Sequence, residues 1–235
     1  MSVSKDKGTS PYAYFLLGFN CGREQISVCR LFSQTVLSKQ NEERIILDEC
    51  YKKGGMSYVT NAVNDYFDAD FTRYVSFTND SITAFFDLFE PTVITVTEDL
   101  NEIDRKNDIY IKIDKGRSAL SSILLLDFLR CTSFKGGDSD TLYKTADALK
   151  EFIIQHRENL FTEENSPAQS LLLSSTNTNI SVLDIEKKRE CINHLLNQNK
   201  DNAFTLWLDG YFLNERTEYH LSADSYNKIF SNYSK

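Results

Sequence analysis

IYIKIDKGRSALSSILLLDFLRCTSFKGGDSDTLY, residues Ile109 to Tyr143, is the stretch whose reading decides the fold. Ile109, Tyr110, Ile111 and Ile113 form a short β-rich run that stops at Lys115-Gly116, and no Gly or Pro follows as far as Cys131. The pattern predicts strand, turn and then a helix over residues 118–131. Ala119, Leu120, Ile123 to Leu126, Phe128 and Leu129 point almost all round that helix, so it is expected to be buried at every position. At its far end stand Arg130 and the polar loop Lys135-Gly136-Gly137-Asp138-Ser139-Asp140. A guanidinium there can make paired hydrogen bonds to an oxyanion, or it can cap its own helix by complementing the dipole and the last carbonyls.

Working outward, Tyr12 to Phe19 and Gln25 to Leu31 are apolar runs joined by Asn20-Cys21-Gly22, which predicts a hairpin. Glu42 to Lys53 is expected to be a short helix closed by Gly54-Gly55, with another after Ser57. Phe71 to Phe77 and Thr92 to Thr97 read as strands, and between them lies a helix over 81–89 capped by Asn79 or Asp80. Helices follow over 143–158, over 167–173 and from a Ser181/Asp184 capping box to Leu196. Ala203 to Leu208 and Tyr211 to Leu213 are expected to pair across Asp209-Gly210 ahead of a last helix over 222–230. Strands alternating with helices predict an α/β fold, a single-domain α-β-α sandwich on a central mixed β-sheet. Residues 1–10 are read as a flexible N-terminal segment and 11–235 as one domain.

The chain has 235 residues, 41% hydrophobic and 26% charged, enough for a sizeable core. A net charge of -8 argues against a general nucleic-acid binder, which needs a basic surface. The five cysteines are widely separated and odd in number, so their spacing supports neither a zinc site nor a disulfide framework. No window of about 18 or more apolar residues is present, and Met1 to Ser10 lacks the apolar centre of a signal peptide.

The order of these elements resembles the LytR-CpsA-Psr family. Gly116-x-x-x-Leu120 followed by Leu126 and Arg130 sits at the spacing of that family's G-x-x-x-L-x-G-x-x-A-L-x-x-x-R segment, and Gly137-Asp138 follows as its Gly-Asp does. Tyr51 with Gly54-Gly55, Arg73-Tyr74-Val75, and Thr178-Asn179-Ile180-Ser181 with Asp184 resemble further family segments. The resemblance implies a membrane-anchored, extracytoplasmic protein that binds a polyprenyl-pyrophosphate-linked glycan. It also implies magnesium-assisted transfer of that glycan phosphate, teichoic acid or capsule, onto peptidoglycan. The anchor is expected outside the stretch given.

Five departures bear on activity. Phe32-Ser33-Gln34-Thr35 stands where the family has Pro-Arg-Asp-Thr, and Glu90-Pro91-Thr92 where it has Gly-Gly-Val. Thr132 and Thr141 occupy arginine positions, and Lys144-Thr145 an Arg-Gln pair. The surviving candidates for phosphate or pyrophosphate are Arg130, Asp138, Arg73 and Lys144, with Asp138 the one candidate metal ligand. Each lost oxyanion donor removes typically 10²–10³ in rate, so little or no transferase activity is expected, ligand binding being retained. A protein-interaction or scaffold domain that keeps only the fold is the alternative.

Overall fold

The computed structural model describes residues 1–38, 44–105, 109–160, 166–197 and 202–234. In chain order the strands and helices are β1 (Ser2–Ser4), β2 (Ala13–Asn20), β3 (Gln25–Phe32), α1 (Leu47–Phe67), β4 (Val75–Thr78), α2 (Asn79–Phe86), β5 (Thr92–Val96), β6 (Leu100–Asp104), β7 (Ile109–Ile113), β8 (Gly116–Leu120), α3 (Ser122–Arg130), α4 (Gly137–Gln155), α5 (Arg157–Leu160), α6 (Pro167–Ser174), β9 (Asn177–Thr178), α7 (Val182–Asn197), β10 (Ala203–Thr205), β11 (Gly210–Leu213), β12 (Glu218–Leu221) and α8 (Ala223–Tyr233).

Six strands make the central sheet in the order β10-β3-β2-β1-β4-β9. It is mixed, as expected: β2 and β3 form the antiparallel hairpin, while β1 runs parallel to β4 and β10 parallel to β3. Alternation along β2 and β3 sends Phe15, Ile26 and Val28 to one face, under α2, α3, α4 and α6. Tyr14, Leu16, Cys29 and Leu31 go to the other face, under α1 and α8.

Several expectations are corrected. The opening residues are not loose throughout, because Ser2–Ser4 is a buried strand at the middle of the sheet, Ser2 pairing with both Tyr14 and Ser76. The polar look of that segment misleads because a three-residue strand held on both edges draws its stability from neighbours, not from apolar content. The deciding stretch holds one more strand than its pattern shows. After β7 the chain turns back at Gly116 and pairs β8 with β5 before the helix begins at Ser122. Ala119 and Leu120 therefore belong to a strand, and α3 is shorter than expected. Its second half is buried, with Leu125 and Leu129 each 1% exposed, but Ile123 in its first turn is 65% exposed.

Phe71 to Tyr74 are not strand, so β4 starts only at Val75, and Thr78 and Ser81 form the cap of α2 in place of Asn79 or Asp80. Glu42 lies outside the described residues, as do 163–165. The helix that follows Glu42 begins at Leu47 and runs through Gly54-Gly55 to Phe67 with a kink there. Gly55 has φ 63° and ψ -157°, a backbone state that a side chain disfavours. Finally, Ala203–Thr205 pairs with β3 and not with Gly210–Leu213, which takes β12 as its partner. An isolated sequence reads the nearest neighbour as the pairing strand, whereas β3 offers a long, buried edge.

Cys21 and Cys191 correct the cysteine reading: the fold brings their Cα atoms to 5.9 Å and they form a disulfide across 170 residues of chain. Sequence spacing could not show this, since the pair joins the β2–β3 turn to the middle of α7.

Candidate functional site

Between the sheet and its covering helices lies an apolar cavity of about 690 Å³, within the roughly 300–1,000 Å³ usual for ligand sites. Its lining takes in both faces of the sheet, with Phe15, Phe77, Phe85, Leu149 and Phe152 on one and Tyr14, Leu31, Val59 and Val63 on the other. Aromatic rings line it in contact with one another, Phe86 and Phe152 having centroids 4.7 Å apart. At the end nearer the β2–β3 turn its lining passes to α7, where Lys188 and both halves of the disulfide, Cys21 and Cys191, contribute.

At the opposite end of β2 and β3 the charged groups gather. Arg130 ends α3, buried at 9% exposure, with Asp127 Oδ1 3.4 Å from its Nη1 and the Tyr12 ring 5.5 Å from its guanidinium carbon. Arg30, a position the sequence reading passed over, projects into the same region from β3 and is 2% exposed. Its Nη1 donates to Thr145 Oγ1 at 2.9 Å, and Thr145 Oγ1 donates to the Thr141 carbonyl at 2.6 Å. The guanidinium lies 6.0 Å from the Phe15 ring and 5.8 Å from that of Phe32. Phe15 thus touches the cavity on one side and the arginine cluster on the other. Burial brings the Arg30 pKa down to about 10. Both arginines act on Tyr12: burial raises its phenol, and the two cations partly oppose that rise. Tyr12 Oη donates to Asn79 Oδ1 at 2.8 Å. Beside them the Cys131 thiol is pushed up to about 12, first by burial and then by its hydrogen bond to Glu102 Oε2 at 3.0 Å.

Of the four residues proposed from sequence, Arg130 alone belongs to this cluster. Asp138, in the first turn of α4, is held by Arg216 Nη2 at 2.6 Å. Lys144 lies between Glu98 Oε1 at 2.5 Å and Asp140 Oδ2 at 2.7 Å, over the Phe134 ring. Burial would raise the Glu98 pKa, but the hydrogen bonds from Lys144 and the Lys135 N–H outweigh it and keep it below the usual range. Arg73 precedes β4, at the end of that strand remote from Asn79, and is bound to Asp184, whose carboxyl is held far below its usual range chiefly by that contact and by Ser181. Arg73 lines the apolar cavity, not the arginine cluster.

The acidic groups do not suit a divalent cation. Gln34 stands where the resemblance calls for a carboxylate, and Asp138, Asp140 and Glu98 are each occupied by a cation. Among the described residues no three His, Cys, Asp or Glu side chains converge on one point.

Arg30 had a visible signal. It keeps the alternation of Ile26 and Val28, so a charge was written at an inward-facing position of a buried strand.

Residues 25–235 match the model of the LytR_cpsA_psr family, and the chain belongs to that family. By sequence, no curated protein matches it. Among solved structures it is similar to a protein described as a transcription regulator from Eubacterium siraeum, with TM-score 0.84, 18% identity, and coverage of 98% of this chain and 88% of that one. It is similar to B. subtilis TagV, with TM-score 0.71, 15% identity and coverage of 98% and 92%. A third similar structure is the family protein YwtF (TagT) with bound octaprenyl pyrophosphate lipid, at TM-score 0.66, 13% identity and coverage of 98% and 86%.

Proposed function

We propose that this chain acts in cell-envelope biogenesis by binding a polyprenyl-linked glycopolymer, of teichoic acid or capsule type, with little or no transferase activity of its own. The observation that carries the reading is the apolar cavity of about 690 Å³ that runs to Phe15, at whose far side the buried arginines stand. A prenyl chain gains free energy from such a slot in proportion to the apolar area it buries, and a phosphate at its end suits Arg130. A relative of the same fold holds octaprenyl pyrophosphate.

Low activity follows from the charge inventory. Transfer needs cations arranged around the anhydride and, in the family, magnesium. Here Thr132, Thr141 and Gln34 replace charged positions, and the nearby carboxylates are committed to Lys144 and Arg216. An extracytoplasmic, membrane-anchored setting belongs to the same proposal, and the Cys21–Cys191 disulfide supports it because such bonds persist in oxidising compartments. The pairing of Asp138, Lys144 and Arg73 within the protein favours the second reading, a scaffold domain.

Organic extraction of the purified protein followed by mass spectrometry tests the choice. A co-purifying polyprenyl phosphate or glycolipid is the expected result. Lipid-free protein that fails to bind geranylgeranyl pyrophosphate would leave the scaffold reading.

A further inference from the structure

We infer that Arg30 is the second guanidinium of an oxyanion site shared with Arg130, a binding residue supplied by β3 in place of the arginines this chain lacks. The inference rests on the lipid-binding reading above and assigns the end of the ligand that Arg30 takes, a phosphate or pyrophosphate group.

The argument begins with a charge that has no counter-charge. Arg30 is 2% exposed, and among the described residues its one hydrogen-bond partner is the neutral Thr145 hydroxyl. Its Nε has no hydrogen-bond partner among them. Among the described residues no carboxylate pairs with it; the rings of Phe15 and Phe32 lie by its guanidinium, and its charge also bears on the neutral Tyr12 phenol and Cys131 thiol. A buried guanidinium is costly unless paired, and unused N–H donors in a dry setting make it more so. Structural arginines in cores are ordinarily matched by carboxylates or carbonyls that take up the whole fork. This one keeps donors in reserve.

The second observation is position. Arg30 and Arg130 come from different elements, β3 and α3, yet both bear on Tyr12, whose ring lies 5.5 Å from the Arg130 guanidinium carbon. Phe15 separates Arg30 from the apolar cavity by a single ring. A lipid pyrophosphate whose tail fills the cavity can therefore reach Arg30 once that ring turns aside. Thr145 explains why Arg30 points here: its hydroxyl donates to the Thr141 carbonyl and leaves a lone pair for Nη1. A glutamine or arginine at 145 would occupy that space. Thr145 and the inward Arg30 are thus joined by a hydrogen bond in this site.

The test compares wild type with Arg30→Met and Arg30→Lys, using geranylgeranyl pyrophosphate, geranylgeraniol and inorganic pyrophosphate as probes, by calorimetry and by melting curves. Wild type is expected to bind the pyrophosphate lipid more tightly than the alcohol. Arg30→Met should weaken the pyrophosphate lipid roughly ten- to hundredfold, the range for a hydrogen bond to a charged group, and leave the alcohol unchanged. Arg30→Lys should lie between. Without ligand Arg30→Met should melt higher than wild type, because it removes an uncompensated buried charge.

A lower melting temperature in Arg30→Met, with the preference for pyrophosphate intact, would overturn the inference and make Arg30 a packing residue. Equal affinity of wild type for the alcohol and the pyrophosphate would also overturn it, while leaving the apolar slot standing. Protection of wild type, but not Arg30→Met, by inorganic pyrophosphate with neither lipid bound would uphold Arg30 and remove the lipid reading. No binding of any probe would remove both.

Discussion

Reducing the Cys21–Cys191 disulfide is expected to lower stability by several kcal/mol. The bond closes a loop of 170 residues, and in the chain-entropy treatment a loop of that length limits the unfolded ensemble by about 5 kcal/mol at 25 °C. Measured losses on removing native disulfides run at about 2–5 kcal/mol, so that value is an upper bound. For a domain of this size each kcal/mol shifts the melting temperature by about 2–4 °C, which gives an expected drop of roughly 5–20 °C. Scanning calorimetry with and without a phosphine reductant reads it, and a Cys21→Ser/Cys191→Ser double variant should melt with the reduced protein whether reductant is present or not. Thiol titration gives the independent count, three free thiols in the oxidised protein, from Cys29, Cys50 and Cys131, and five after reduction. A melting temperature unmoved by reductant, or five reactive thiols in denatured, unreduced protein, would refute the pairing.

Four other outcomes are expected. Leu129→Ala, at a position 1% exposed in α3, should destabilise by about 2–5 kcal/mol in urea titrations, while Ile123→Ala, at 65% exposure, should change stability by less than about 0.5 kcal/mol. Lys144→Met strands Glu98 in its buried site and should cost more than Asp138→Asn, whose exposed partner Arg216 makes that pair worth less than about 1 kcal/mol; chemical denaturation of both variants ranks them. Gly55→Ala meets no steric obstacle, yet it forces a side chain onto φ 63°, ψ -157°, and should cost about 1–3 kcal/mol by the same measurement. His156 is buried against Phe89 and Phe152, and burial lowers its pKa from 6.5. Its folded pKa is the depressed one, so its contribution is complete above about pH 6.5 and is lost as pH falls through the folded value; His156→Phe should flatten the stability profile in that window.

Local chemistry explains which parts of this fold were legible. Thr92 to Val96 is β-branched throughout, Ser181 and Asp184 carry a complete capping box, and Pro167 opens its helix, so each announces itself within a few residues. Features set by distant neighbours were hidden. Ser2–Ser4 is a strand because β2 and β4 hold it, and Ala119-Leu120 extend because β5 lies alongside. The site divides in the same way. Arg130 was legible as a cation ending an apolar helix, but Asp138 and Lys144 sit in α4 beside acidic or basic partners that only the folded chain supplies. Arg73 lies across the domain with Asp184. Arg30 was legible and overlooked, its single charge lost among apolar neighbours.

The position of β1 has a consequence for handling the protein. Ser2, Val3 and Ser4 are the whole of the strand that joins β10-β3-β2 to β4-β9. A truncated form lacking these residues would bare the inner edges of β2 and β4 together, two unsatisfied rows of amides and carbonyls flanked by apolar side chains. Such edges recruit strands from other molecules, so a trimmed preparation should form oligomers and precipitate on storage while its remaining secondary structure looks intact by circular dichroism.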